Sequence, residues 1–103
     1  MQRITSDVAR SSISYAFVSV TLSSNVTDWS FKENTTLFSR IQVGREFVIK
    51  NTGPIFVRLN DLANDAIELF EHEGLVSVGY PLEDLFISGE SGTIIRVQMQ
   101  GYN

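Results

Sequence analysis

The chain has 103 residues, 12 Asp or Glu against 8 Lys or Arg, a formal net charge of -4 and no cysteine. Hydrophobic residues at 43% and charged residues at 19% describe an ordinary globular domain with one modest core. An acidic chain with scattered cations lacks the basic stripe that displaces counterions from phosphate, so the balance argues against a nucleic-acid partner. Without cysteine, disulfides cannot support the fold, which argues against a small secreted scaffold.

Residues 1–12 (MQRITSDVARSS) carry no apolar run behind Arg3 and Arg10 and do not read as a secretory signal. Beyond Met1, only Ile4, Val8 and Ala9 are apolar in that stretch, too few to nucleate stable structure alone, so 1–12 reads as a polar N-terminal arm. Residues 13–103 read as a single β-sandwich domain. No segment approaches the length of a membrane-spanning helix. Asn25-Val26-Thr27 and Asn34-Thr35-Thr36 match the N-glycosylation pattern, read here as chance in a Ser/Thr/Asn-rich stretch.

The first strand is expected over Ile13–Leu22, with Ala16, Val18, Val20 and Leu22 on one face and Tyr15, Phe17, Ser19 and Thr21 on the other. Ser23 to Thr36 reads as a long polar connection holding Trp29 and Phe31, two residues apart. From Leu37 the strands come quickly. Leu37–Val43 places Leu37, Ile41 and Val43 on one face and Phe38 and Arg40 on the other. Gly44 breaks it, and Phe47 and Ile49 alternate with Val48 and Lys50 up to the Asn51-Thr52-Gly53-Pro54 turn.

Ile55, Val57 and Leu59 then oppose Phe56, Arg58 and Asn60, and Asn60–Asp65 forms a second turn cluster. Ile67 and Leu69, a short Leu75–Val78, Asp84–Ser88 and Thr93–Gln100 follow, the last with Ile95, Val97 and Met99 inward. A helix competes over Leu62–His72. The sum is an all-β, antiparallel sandwich of about eight short strands, jelly-roll-like in size. Its expected core is Val18, Val20, Ile41, Ile49, Val57, Leu59, Leu69, Ile87, Ile95 and Val97.

The residues that carry chemistry elsewhere do not assemble into a motif here. His72, the one histidine, sits between Glu71 and Glu73 in a polar bend, without the nucleophile and orienting group that acid–base catalysis needs. Asn60, Asp61, Asn64, Asp65 and Glu68 supply the hard oxygens calcium takes, but not the spacing or mid-loop glycine of an EF-hand, so they read as turn residues. There is no Gly-x-Ser-x-Gly elbow for a nucleophilic serine. Asp7, Asp28, Glu83 and Glu90 stand apart, and nothing marks a pair of them as a glycosidase dyad. The expectation is a protein that is not an enzyme, with no catalytic, cofactor-binding or metal-binding residues.

Strict alternation leaves Tyr15, Phe17, Phe38, Phe56, Phe86 and Ile94 on outward positions. A free monomer keeps its contiguous apolar patches small, so part of this set is expected to lie at an interface with other protein chains. A second use for surface aromatics is a stacking platform for sugar, for which Trp29, Phe31, Tyr15 and Tyr80 are the candidates.

The run IKNTGPIFVRLNDLANDAIELFEHEG, continued by YPLEDLFISGESGTIIRV, resembles the small β-sandwich accessory proteins of tailed bacteriophage virions. The resemblance lies in an Asn-Thr-Gly turn leading into Ile55–Asn60, an Asp65–Leu69 strand with its Gly-bearing bend, and the Leu85–Gly89 and Ile94–Val97 strands. It covers roughly the C-terminal half. It implies a non-enzymatic virion protein, first a capsid decoration or cement protein that bridges neighbouring shell subunits. Head–tail connector or tail component is the alternative within the particle, and a soluble carbohydrate-binding module the alternative outside it. The implied partners are the major capsid protein or other virion proteins and further copies of the chain, a trimer first, with no membrane. The implied location is the virion, assembled in the bacterial host cytoplasm.

Overall fold

The computed structural model describes residues 13–102; the expected arm over 1–12 lies outside them. Among the described residues eight strands form: β1 (Ile13–Thr21), β2 (Val26–Ser30), β3 (Val43–Asn51), β4 (Ile55–Leu59), β5 (Ile67–Leu69), β6 (Leu75–Leu82), β7 (Leu85–Gly89) and β8 (Ile94–Tyr102). Single helical turns, α1 (Phe31–Asn34) and α2 (Leu37–Arg40), separate β2 from β3. The strands make two four-stranded sheets, β1-β8-β3-β6 and β2-β7-β4-β5. We refer to them as the first and second sheet. Every pairing is antiparallel, and apart from β4 and β5 each strand crosses to the other sheet from its predecessor, which is the winding of a jelly roll.

Alternation along each strand produces the core. Ile95, Val97 and Met99 of β8 and Phe47 and Ile49 of β3 point inward from the first sheet. Ile55 and Val57 of β4 and Leu85 and Ile87 of β7 meet them from the second. All the expected core residues pack there, although Val18, Val20 and Leu59 sit at the rim and keep partial exposure.

Two expected stretches come out differently. Leu37–Val43 is not a strand: Leu37–Arg40 is a helical turn, and the strand begins at Val43. Leu37, Phe38 and Ile41 have the spacing of one helical face, and the turn drives all three inward, at 0%, 8% and 0% exposure. A strand would have left Phe38 outside. Ser23–Thr36 is not a plain connection either, because it contains β2 and α1. A register shift between Val26 and Trp29, with Asp28 at φ 50, breaks the alternation that would have revealed β2. The competing helix over Leu62–His72 does not form; β5 and its flanking turns occupy that stretch.

Three polar tie points hold the turns. The Asn51 side chain, 3% exposed, donates to the carbonyls of Gly53 (2.8 Å) and Phe70 (2.9 Å) and accepts from the Gly74 N–H (2.9 Å). The Asn60 carboxamide donates to the Pro81 carbonyl at 2.7 Å and accepts from the Glu83 N–H at 2.6 Å, joining the turn after β4 to the one after β6. The Ser30 hydroxyl caps α1 by accepting from the Glu33 N–H at 3.1 Å. In the first sheet Gly44 faces Gly101 across β3 and β8, and a Cβ on Gly101 would meet the Val43 carbonyl oxygen and Gly44 Cα. The two glycines allow the backbones their close approach.

Candidate protein-interaction face

The outer face of the first sheet is set by register. Tyr15 pairs with Gln100, Gln100 with Glu46 and Glu46 with Val78, which makes one row across all four strands. The next row is Phe17, Gln98, Val48 and Val76, and beyond it Ser19, Arg96 and Lys50. Phe17 is 62% exposed, Tyr15 63%, Val76 68% and Val78 73%. The exposed apolar side chains therefore stand on the two edge strands, with the amides of Gln98 and Gln100 between them. Two shallow depressions follow these rows, one between Tyr15, Glu46, Val48, Val76 and Val78, the other between Phe17, Val48, Lys50 and Arg96. At the end of β8 the Arg45 guanidinium lies 5.8 Å from the Tyr102 ring centroid, within cation–π range.

The six outward residues expected from alternation do not share a surface. Tyr15, Phe17 and Ile94 belong to the outer face of the first sheet, where Ile94 pairs with Thr21. Phe56 and Phe86 belong to the outer face of the second, where Phe56 pairs with Ser88 and Phe86 with Arg58. These faces look in opposite directions, and Phe38 is in the core. Val76 and Val78 escaped the sequence reading. Leu75–Val78 is short and runs into Gly79 at φ 87, so its parity assigned neither face.

The outer face of the second sheet is organised by charge. Arg58 Nε donates to Asp28 Oδ1 at 3.2 Å, and Arg58 Nη1 donates to the Asn64 carbonyl at 2.5 Å. One guanidinium thus fixes the bulged strand β2 and the Asn60–Asp65 turn together. The sugar platform of Trp29, Phe31, Tyr15 and Tyr80 is not assembled. Phe31 is fully buried, and Trp29 stands edge-on to it with centroids 5.1 Å apart at 88°.

The polar clusters serve the backbone. His72 occupies a left-handed position, φ 60, in the turn between β5 and β6, and its N–H donates to the Asn51 carbonyl at 3.0 Å. Its ring lies 3.7 Å from Glu71 Oε1, and both side chains are about two-thirds exposed (69% and 67%). Asp61 Oδ1 accepts from the Ala63 N–H at 2.9 Å and Asn64 Nδ2 donates to the Leu59 carbonyl at 2.7 Å, which closes the turn from within. Among the described residues no group of three or more His, Asp or Glu is placed to hold a metal ion.

No protein-family model matches the chain, and no curated protein matches it. Several solved structures superpose on it in part. A cupin superfamily protein from Desulfitobacterium hafniense superposes with a TM-score of 0.47 at 11% identity, over 89% of this chain and 69% of that one. A de novo designed double-stranded beta-helix gives a TM-score of 0.45 at 13% identity, over 84% and 97%. A Bacillus endospore appendage protein, of a family that forms disulfide-linked pili, gives 0.46 at 10% identity, over 88% of each chain.

Proposed function

We propose that the chain is a non-enzymatic structural protein of a tailed-phage particle, used first as a capsid decoration or cement protein. The observation that supports this reading is the outer face of the first sheet, where Tyr15, Phe17, Val76 and Val78 are 62–73% exposed on a rigid framework. A side chain left in water on a sheet gains free energy when a partner covers it, at about 25 cal/mol per Å² of apolar surface. A bridging protein works by that gain: it contacts two shell subunits at once and adds the buried area to their mutual adhesion. Head–tail connector or tail component uses the same face in another place.

The test is co-sedimentation of the purified protein with heads of the phage whose genome carries the gene, prepared without this protein. Binding that raises the melting temperature of the heads and falls at least tenfold in Phe17→Ala with Val76→Ala supports the reading. Heads that neither bind the folded protein nor gain stability overturn it.

A further inference from the structure

Native sheets protect their edges with charge, proline, bulges or covering segments, because an unpaired edge is a template for another strand. In the first sheet this order is reversed. The edge strands β1 (ISYAFVSVT) and β6 (LVSVGYPL) contain no charged residue, whereas the interior strands β3 and β8 hold Arg45, Glu46, Lys50 and Arg96. Among the described residues, the protection that appears is Gly79 and Pro81 late in β6, which leaves Leu75–Val78 open, and α2, which packs beside β1 with a groove between them.

We propose that copies of this chain associate head to tail by pairing β1 of one copy with β6 of the next. Strand direction permits it. The sheet has four strands, all antiparallel to their neighbours, so β1 and β6 run in opposite directions. A second copy placed beside the first in the same orientation therefore brings its β6 antiparallel to β1, and the alternation continues through the junction. An isologous β6–β6 pair would need the second copy rotated by half a turn in the plane of the sheet and would leave both β1 edges unpaired.

Register and side-chain chemistry agree with that placement. Tyr15 is level with Val78, and Phe17 with Val76, across the same sheet. A copy displaced along the sheet without tilting sets Phe17 opposite the partner's Val76 and Tyr15 opposite the partner's Val78. Aromatic against β-branched is among the favourable cross-strand pairs. The four most exposed apolar side chains of the face would then stand as two neighbouring cross-strand pairs. Along the free side of β1 a groove lies between Tyr15–Val18 and Thr36, Ser39 and Arg40 of α2, so the incoming strand has a slot bordered by hydrogen-bonding groups. The contact is heterologous: repetition gives a ring if the rotation closes and a filament if it does not. It rests on the reading of this face as an interface and names a second copy as an occupant.

Two double variants of the full chain test it, each keeping the core intact. Tyr15→Lys with Phe17→Lys blocks the β1 side; Val76→Lys with Val78→Lys blocks the β6 side. Sedimentation velocity of the unaltered protein should show mass rising with concentration past the dimer. Each double variant alone should be monomeric. Their equimolar mixture should form a dimer of one chain of each kind and stop there, since only one intact seam remains. Unaltered protein that stays monomeric at the highest concentration reached overturns the proposal. So does a β1-side variant that dimerises with itself, which would mean a β6–β6 contact. Far-ultraviolet spectra confirm folding, and single substitutions of Phe17 or Val76 to Lys repeat the mixing experiment if a double variant unfolds. Head binding by a strictly monomeric protein would remove this proposal and leave the particle role standing; self-association without head binding would do the reverse.

Discussion

The Ser30 hydroxyl lies 3.0 Å from both carboxylate oxygens of Asp84, 54 positions further along the chain. Asp84 Oδ1 also accepts from the backbone N–H groups of Lys32 (3.2 Å) and Leu85 (2.7 Å). One carboxylate thereby fastens the start of α1 to the turn between β6 and β7, and it does so beside the fully buried Phe31. Ser30→Ala removes both the α1 cap and the tie, and should cost about 1–2 kcal/mol in urea unfolding. Asp84→Ala should cost a similar amount, and the double variant should cost less than the sum, because the two groups share one interaction. Full additivity would mean that the contact contributes nothing.

Asn51 is a buried polar side chain that serves three backbone groups at once. Asn51→Leu leaves the Gly53 and Phe70 carbonyls and the Gly74 N–H without their partner, so the loss should be about 2–4 kcal/mol. Amide exchange should speed up first in the Phe70–Gly74 turn, since that turn depends on the carboxamide. An unfolding midpoint equal to that of the unaltered protein would contradict the assignment.

The close approach of β3 and β8 makes a steric prediction. In Gly101→Ala the added methyl meets backbone at Val43 and Gly44, which cannot rotate away, so a loss of about 2–3 kcal/mol is expected. Gly44→Ala meets the Met99 side chain instead. Because methionine adapts, that variant should lose less, and thermal melting of the pair gives the order directly.

Burial predicts opposite responses at two valines. Val57→Asp places a charge at a fully buried position without a partner and should unfold the domain, costing several kcal/mol. Val78→Lys, at a position 73% exposed, should stay within about 0.5 kcal/mol of the parent. A scan in which both are tolerated would contradict the inward assignment of β4.

His72 gives a prediction about both stability and function. Its left-handed backbone suits glycine, so His72→Gly should raise stability by up to about 1 kcal/mol, while His72→Ala lowers it by a similar amount. Head binding should be unchanged in both. A folded His72→Ala protein that lost its biological activity would reopen an enzymatic reading.

The parts of the fold that were legible in the sequence are those where period-two alternation is unbroken. β3, β4, β7 and β8 follow from Phe47/Ile49, Ile55/Val57, Leu85/Ile87 and Ile95/Val97 because each side chain answers only to which sheet face it sits on. Residues 26–40 were not legible, for two physical reasons. The bulge at Asp28 uses an extra residue and shifts the parity of Trp29. At Leu37–Ile41 a helical spacing within five residues is too short to separate from a strand. The interaction face was half legible: Tyr15 and Phe17 stood out by alternation, but their relation to Val76 and Val78 exists only through the register of three strand pairs. Phe56 and Phe86 looked equivalent to them because parity states that a side chain points outward and says nothing about which sheet it leaves.

The strand that lies between β1 and β3 is β8, the last of the eight in chain order. Of the first sheet, among the described residues, only the β3–β6 ladder can form before residues Ile94–Tyr102 arrive, and β1 meets its partner β8 only then. In a chain emerging from the ribosome, β1 must wait while the whole second sheet is made, with its core-facing Ala16, Val18 and Val20 uncovered throughout. Closing so long a loop makes the final step slow. The same interval exposes an uncharged strand to other nascent chains, so yield should depend on translation rate and temperature more steeply than the equilibrium stability of the finished domain would indicate.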